Sequence, residues 1–149
     1  MKTGLLAALL LGAIAMPVLA AEPFRHVGPE EARQLTSKLV DHIGTNFLYR
    51  KDSYLQEIIY RDASGVPEVH ANWADHFVVT EGEATLIVGG TVVDERETGP
   101  GEKRGTAITG GKEYPMTPGT IITVPAGMPH WTVLKPGAHL RAAVFKLKD

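Results

Sequence analysis

The chain has 149 residues, 44% of them hydrophobic and 21% charged, which is the make-up of one ordinary globular domain. A formal net charge of −2 without any basic stripe excludes nucleic acid and an anionic membrane surface as partners. There is no cysteine, so no disulfide can support the fold and an apolar core must do so.

The chain opens on a leader. Met1-Lys2-Thr3 is short and basic, Leu5 to Ala15 is apolar and uncharged, and Val18-Leu19-Ala20 ends the run with small residues. This is the pattern of a secretory signal peptide, expected to span residues 1–20 and to be cleaved after Ala20, leaving a periplasmic or secreted protein. The apolar stretch from Gly4 to Ala21 lies near the lower limit of about 17 residues for a spanning helix. Pro17 interrupts it and Glu22 to Arg25 follow at once, so no stable membrane anchor is expected.

Residues 21–45 read as an N-terminal segment with one amphipathic helix, predicted from Pro29 to about Ile43. Pro29 suits the first helical position, Glu30 and Glu31 sit at the positive end of the dipole, and Gly44 is placed to end it. Ala32, Leu35, Leu39, Val40 and Ile43 fall on one stripe.

From Asn46 to the C-terminus the signal is short strands and turns. Strands are predicted at Tyr54 to Tyr60, Val66 to Trp73, Phe77 to Thr80 and Ala84 to Val88. The last two are expected to form a hairpin about Glu81-Gly82. Gly89-Gly90 predicts a second two-residue hairpin, from Leu86-Ile87-Val88 to Thr91-Val92-Val93. The glycine-rich, weakly apolar stretch from Glu97 to Lys112 reads as a long loop, either a cavity lid or a plain surface loop. Thr117-Pro118-Gly119-Thr120 and Lys135-Pro136-Gly137-Ala138 read as type II turns bracketing Ile121 to Val124 and His130 to Leu134. Leu140 to Leu147 is the last strand. Many short strands between Gly and Pro turns predict an all-β sandwich or barrel.

The most specific run is Gly119-Thr-Ile-Ile-Thr-Val-Pro125-Ala-Gly127-Met-Pro-His130. It resembles, position for position, the pattern G-x5-P-x-G-x2-H, the second motif of the cupin superfamily. The final asparagine of that motif is Leu134 here. The first motif, G-x5-H-x-H-x3-4-E-x6-G, is present in altered form. Anchored on Gly82, its glutamate becomes Asp75, its second histidine is His70, its first is Glu68, and its leading glycine is one step out at Gly65. The resemblance covers roughly Val66 to the C-terminus. It implies a cupin-type double-stranded β-helix (jelly-roll) barrel, and a homodimer formed through the barrels, with Asn46 to Tyr60 as exchanged strands. It also implies a metal site, which superfamily members usually build from three histidines and a glutamate.

The residues agree with that implication. Glu68 and His70 are two apart on one strand and share a face; Asp75 begins the next strand, sharing its face with Phe77 and Val79. If those faces point inward, Glu68, His70, Asp75 and His130 converge as a ligand set for a divalent ion, Mn, Fe or Zn. Buried together, two carboxylates need a cation, open water or a proton to be tolerated. A second register takes His70, Asn72 and His76 instead, with a bulge resetting the face. Trp73 and Trp131 fall on the outer faces, and His26 and His42 have no motif context. The functions left open are a metal-dependent enzyme acting on a small organic molecule, a non-catalytic barrel binding a sugar or organic acid, and an oligomerisation scaffold.

Overall fold

The computed structural model describes residues 24–149, so the segment read as a signal peptide lies outside the described residues. Within them are α1 (Pro29–Leu35), β1 (Ile43–Arg50), β2 (Tyr54–Arg61), β3 (Glu68–His70), β4 (Trp73–Gly82), β5 (Ala84–Val88) and β6 (Thr91–Val93). Then come β7 (Arg96–Gly99), β8 (Glu102–Arg104), β9 (Ala107–Thr109), β10 (Lys112–Met116), β11 (Ile121–Val124), β12 (His130–Val133) and β13 (Leu140–Lys148). No described helix is long and apolar enough to cross a membrane.

The strands form two main antiparallel sheets. One runs β1-β2-β13-β4-β11 and the other β10-β5-β12-β3-β8-β7, with β6-β9 as a separate ribbon. Successive side chains of a strand point to opposite faces, so each sheet can bury one face against the other. On β4 the inward set is Asp75, Phe77 and Val79, all buried. Phe77 and Val79 join Ile59, Leu86, Met116, Val124, Leu134, Leu140, Ala142 and Val144 in one apolar cluster between the sheets. Each buried Val, Leu, Ile, Phe or Met of that cluster contributes about 1.5–3 kcal/mol relative to exposure. The architecture is the expected all-β jelly-roll barrel with one short N-terminal helix.

Three local expectations fail, each for a physical reason. The helix is seven residues long instead of reaching Ile43. The hydroxyls of Thr36 and Ser37 donate to the carbonyls of Ala32 and Gln34, which competes with helix continuation, and Arg141 also donates to Ala32 O and Thr36 Oγ1. Gly44 lies inside β1, where a Cβ would meet the Thr36 carbonyl oxygen at 2.2 Å.

Neither predicted hairpin forms. β4 is already flanked by β13 and β11, and β5 by β10 and β12, so neither has a free edge for its chain neighbour. The chain therefore crosses between sheets at Gly82-Glu83, and Gly89-Gly90 leads into β6, which pairs with β9. The stretch from Glu97 to Lys112 is not a loop but carries β8, β9 and the end of β7. β8, Glu102-Lys103-Arg104, is charged on both faces and so carries no apolar period for hydrophobic patterning to register.

Candidate metal centre

Cross-strand register assembles the site. His130 on β12 lies opposite Glu68 on β3. On the other side of β3, β8 places Arg104 opposite Glu68 and Glu102 opposite His70. In the facing sheet, β13 places Lys146 opposite Asp75 on β4. One sheet thus supplies Glu68, His70 and His130, the other Asp75 and Lys146, and all meet between the layers.

The four residues expected to converge do so. His70 Nε2 lies 3.3 Å from Glu68 Oε2 and 3.5 Å from Asp75 Oδ2. His130 Nε2 lies 3.9 Å from Glu68 Oε2 and 3.6 Å from Asp75 Oδ2. His70, His130 and Asp75 are almost fully buried and Glu68 is largely so.

Each imidazole is held by its other nitrogen. His130 Nδ1 donates to the Met128 carbonyl at 3.1 Å, and His70 Nδ1 donates to Glu102 Oε2 at 2.6 Å. Such anchoring orients the rings so that both Nε2 atoms face the cluster. The turn before His130 is tied to the same place. Met128 N–H donates to Pro125 O, closing a four-residue turn, and Gly127 N–H donates to the His70 carbonyl at 2.8 Å. Gly127 has φ +74°, as the third residue of a type II turn requires.

Charge sets the protonation. Burial raises the Glu68 carboxyl, but the His70 hydrogen bond, Arg104 and His130 outweigh it and bring it down to about 2. Asp75 is likewise raised by burial and overruled by His130, His70 and Lys146, which hold it well below the usual carboxylate range. Burial lowers His70, yet Asp75 and Glu68 push it up to about 9. Lys146 Nζ stands 3.0 Å from both Asp75 Oδ2 and His70 Nε2. Nζ is thereby within hydrogen-bonding distance of both groups. The cation between the buried carboxylates is thus, in part, the protein's own ammonium.

No family model and no curated protein matches the sequence. Solved structures do match the fold. The cupin domain of Cnp3 from Schizosaccharomyces pombe aligns with a TM-score of 0.55 over 77% of this chain and 67% of its own, at 13% identity. A cupin-2 domain from Rhodospirillum rubrum gives 0.51 over 72% of this chain and 62% of its own, at 12% identity. The chain has the cupin fold. The polyketide cyclase RemF from Streptomyces resistomycificus aligns at 0.51 over 72% of this chain and 66% of its own, at 21% identity. The chain spans about two thirds of the length of these three structures.

Both altered cupin motifs therefore have a structural meaning. The second is the β11–turn–β12 unit that aims His130, and Leu134, in the asparagine position, joins the core. The first is β3, the turn and β4. The alternative register is excluded: His76 points to the outer face and hydrogen-bonds Thr123 Oγ1 at 3.0 Å, and Asn72 sits exposed in the β3–β4 turn. Trp131 is outside the cavity as expected, with its indole N–H donating to Gly65 O.

Sequence reading missed three side chains of the cluster. Glu102 and Arg104 lay in the segment read as a loop, in a strand whose three residues are all charged. Lys146 shares its strand face with Val144 and Ala142, an inward lysine beside two core residues, and that spacing was legible. Glu57, two strands away, also lines the cavity. Burial pushes its carboxyl up, only partly opposed by Lys146.

The donor set fits a first-row divalent ion. Metal–N and metal–O bonds of about 2.1 Å at tetrahedral angles place donors about 3.4 Å apart, and the four imidazole-to-carboxylate separations run from 3.3 to 3.9 Å. Glu68, His70 and His130 each offer one donor atom within 4.8 Å of the others. His130 Nε2 and Asp75 Oδ1 are buried with no hydrogen-bond partner, and unsatisfied buried groups call for one.

Proposed function

We propose that this chain is an exported cupin enzyme that uses a divalent ion, Mn, Fe or Zn, to act on a small organic molecule. His70, His130, Glu68 and Asp75 would hold the ion, in a set harder and more anionic than three histidines and a glutamate. The observation that carries the reading is His130 Nε2: its tautomer is fixed by Met128 O, and it is buried without a partner among two carboxylates and a second imidazole. When bound, such an ion polarises a carbonyl or carboxylate oxygen or activates water or dioxygen.

The chain's own residues account for the remainder. Glu102 and Met128 O orient the imidazoles. The apolar wall of Phe77, Ile59 and Val144 limits water in the cavity. Glu57, raised by burial, is placed to hold a proton at its carboxyl. The polyketide cyclase among the structural neighbours supports catalysis on this fold and says nothing of the reaction here. Elemental analysis of the purified mature protein, before and after reloading, tests the proposal. About one ion per chain is expected, and stoichiometry near zero after reloading removes it.

One observation favours a second reading. Because Lys146 already pairs with His70 Nε2 and Asp75 Oδ2, the cluster is coherent as a metal-independent binding site for a small ligand. Ligand binding unchanged after chelation and after His70→Ala with His130→Ala would favour that barrel over the enzyme.

A further inference from the structure

Beside the cluster, on the side of β2, lies a cavity of about 170 Å³. It is smaller than the roughly 300–1,000 Å³ of pockets that take drug-sized ligands, so its occupant has only a few carbons. Its walls divide by chemistry. Ile43, Ile59, Phe77 and Val144 are apolar, the Glu68, Asp75 and His130 side chains form one end, and Arg61 lies at the wall.

Arg61 is not explained by the metal cluster. Its nearest carboxylate oxygen among the ion pairs is Glu68 Oε1, 3.8 Å from Nη2, beyond hydrogen-bonding distance. Its Nε is buried and has no hydrogen-bond partner. A buried donor without an acceptor is unfavourable, so the guanidinium is held in place by what surrounds it. That support is identifiable. Arg61 lies flat on Gly65, where a Cβ would stand 2.9 Å from Nη1, 3.2 Å from Cζ and 3.4 Å from Nη2.

Gly65 is itself pinned to β12. Its N–H donates to Thr132 O and its carbonyl accepts from Trp131 Nε1. Next to it, Ser64 Oγ both donates to Leu134 O and accepts from Leu134 N. The seat under the guanidinium is therefore tied down, and a Cβ there would push the guanidinium aside.

We infer that Arg61 is the anchor for the carboxylate of a small organic acid, which lies along the apolar wall with its other end at the His70–His130 cluster. The inference rests on the function proposed above and names its substrate class. Arginine presents a planar fork matched to a carboxylate, and here its Nε lacks an acceptor. Charge agrees. Around this cavity the cationic side chains Arg61 and Lys146 stand against the carboxylates Glu57, Glu68 and Asp75. Addition of a divalent ion turns that balance positive, and Glu57, which burial holds towards its neutral form, adds to the trend. The apolar wall favours a short carbon chain over a fully hydrated inorganic anion.

Calorimetric titration of the purified protein, zinc-loaded and chelator-stripped, with pyruvate, malonate and succinate against methyl pyruvate and the matching diamides, tests this. At least one acid is expected to bind at least tenfold more tightly than its uncharged counterpart. Arg61→Met is expected to lose at least tenfold in that affinity while its zinc stoichiometry stays that of the parent. Gly65→Ala, which displaces the guanidinium without removing its charge, should weaken the same acid. If Arg61→Met does not fold by circular dichroism, Arg61→Lys, which keeps the charge and loses the fork, takes its place with the same expectation.

Acids and neutral analogues binding alike, acid binding that survives loss of the guanidinium, or no acid binding at all would each overturn the assignment. Inorganic phosphate binding as tightly as the best acid would overturn the carboxylate class, leaving recognition to charge alone. Arg61-dependent acid binding in a protein that takes up no zinc would sink the metal reading and leave this one standing. Full zinc uptake with acid binding indifferent to Arg61 does the reverse.

Discussion

Lys146→Met separates the effects of the ammonium from those of its stem. Lys146 Nζ is 3.0 Å from Asp75 Oδ2, and the Asp75 side chain is 3% exposed. Removing one partner of a buried pair costs about 3–5 kcal/mol, and Lys146 keeps 16% exposure, so about 3 kcal/mol is expected. In the metal-loaded protein the sign reverses. A divalent ion about 4 Å from the ammonium would meet about 8 kcal/mol of repulsion at an effective dielectric of about 20. If the stem swings the ammonium out to about 8 Å in water, about 1 kcal/mol remains. The variant should therefore bind zinc at least about fivefold more tightly while unfolding at lower urea when stripped. Zinc titration against a competing chelator, paired with urea melts of both forms, reads the two effects separately. Zinc affinity equal to or weaker than that of the parent refutes the placement of Lys146 as the ion's rival.

Glu102→Ala frees His70 Nδ1 and is expected to weaken metal binding about 10–100-fold; affinity within a factor of two of the parent would show that Glu102 does not orient the ligand. The stripped protein should be most stable between about pH 4.5 and 6.5. The raised His70 value of about 9 gives stability that is full below its unfolded value of 6.5 and lost as pH rises through about 9, up to ~3 kcal/mol. The lowered Glu68 value of about 2 gives stability present above 4.5 and lost as pH falls through about 2. Chemical denaturation across pH checks both limbs, and a flat alkaline limb would contradict the His70 assignment. Leu86→Ala, at a fully buried position between the sheets, should cost about 2–5 kcal/mol in urea melts without altering metal stoichiometry.

Much of the site could be read from the chain because it depends on alternation and on turns. Glu68 and His70 share a face by spacing alone, and Asp75, Phe77 and Val79 do so on the next strand. Pro125 and Gly127 announce the turn that aims His130. Partner choice was not legible. Which strand lies beside β4 is decided by β13 and β11 from far along the chain, so local turn residues at Glu81-Gly82 and Gly89-Gly90 predicted hairpins that tertiary pairing overrode. Glu102 was hidden because charged residues on both faces of β8 erase the apolar period. Thr36 and Ser37 look helical by position and end the helix through their hydroxyls.

The cluster straddles the interface between the two sheets, with Asp75 on one and Glu68, His70 and His130 on the other. In a chain with no cysteine, an ion gripped from both sides would act as a clasp, fastening the layers much as a covalent staple does. Unfolding would then require release of the ion, so resistance to heat and proteolysis would serve as a gauge of how much of the protein is charged with metal.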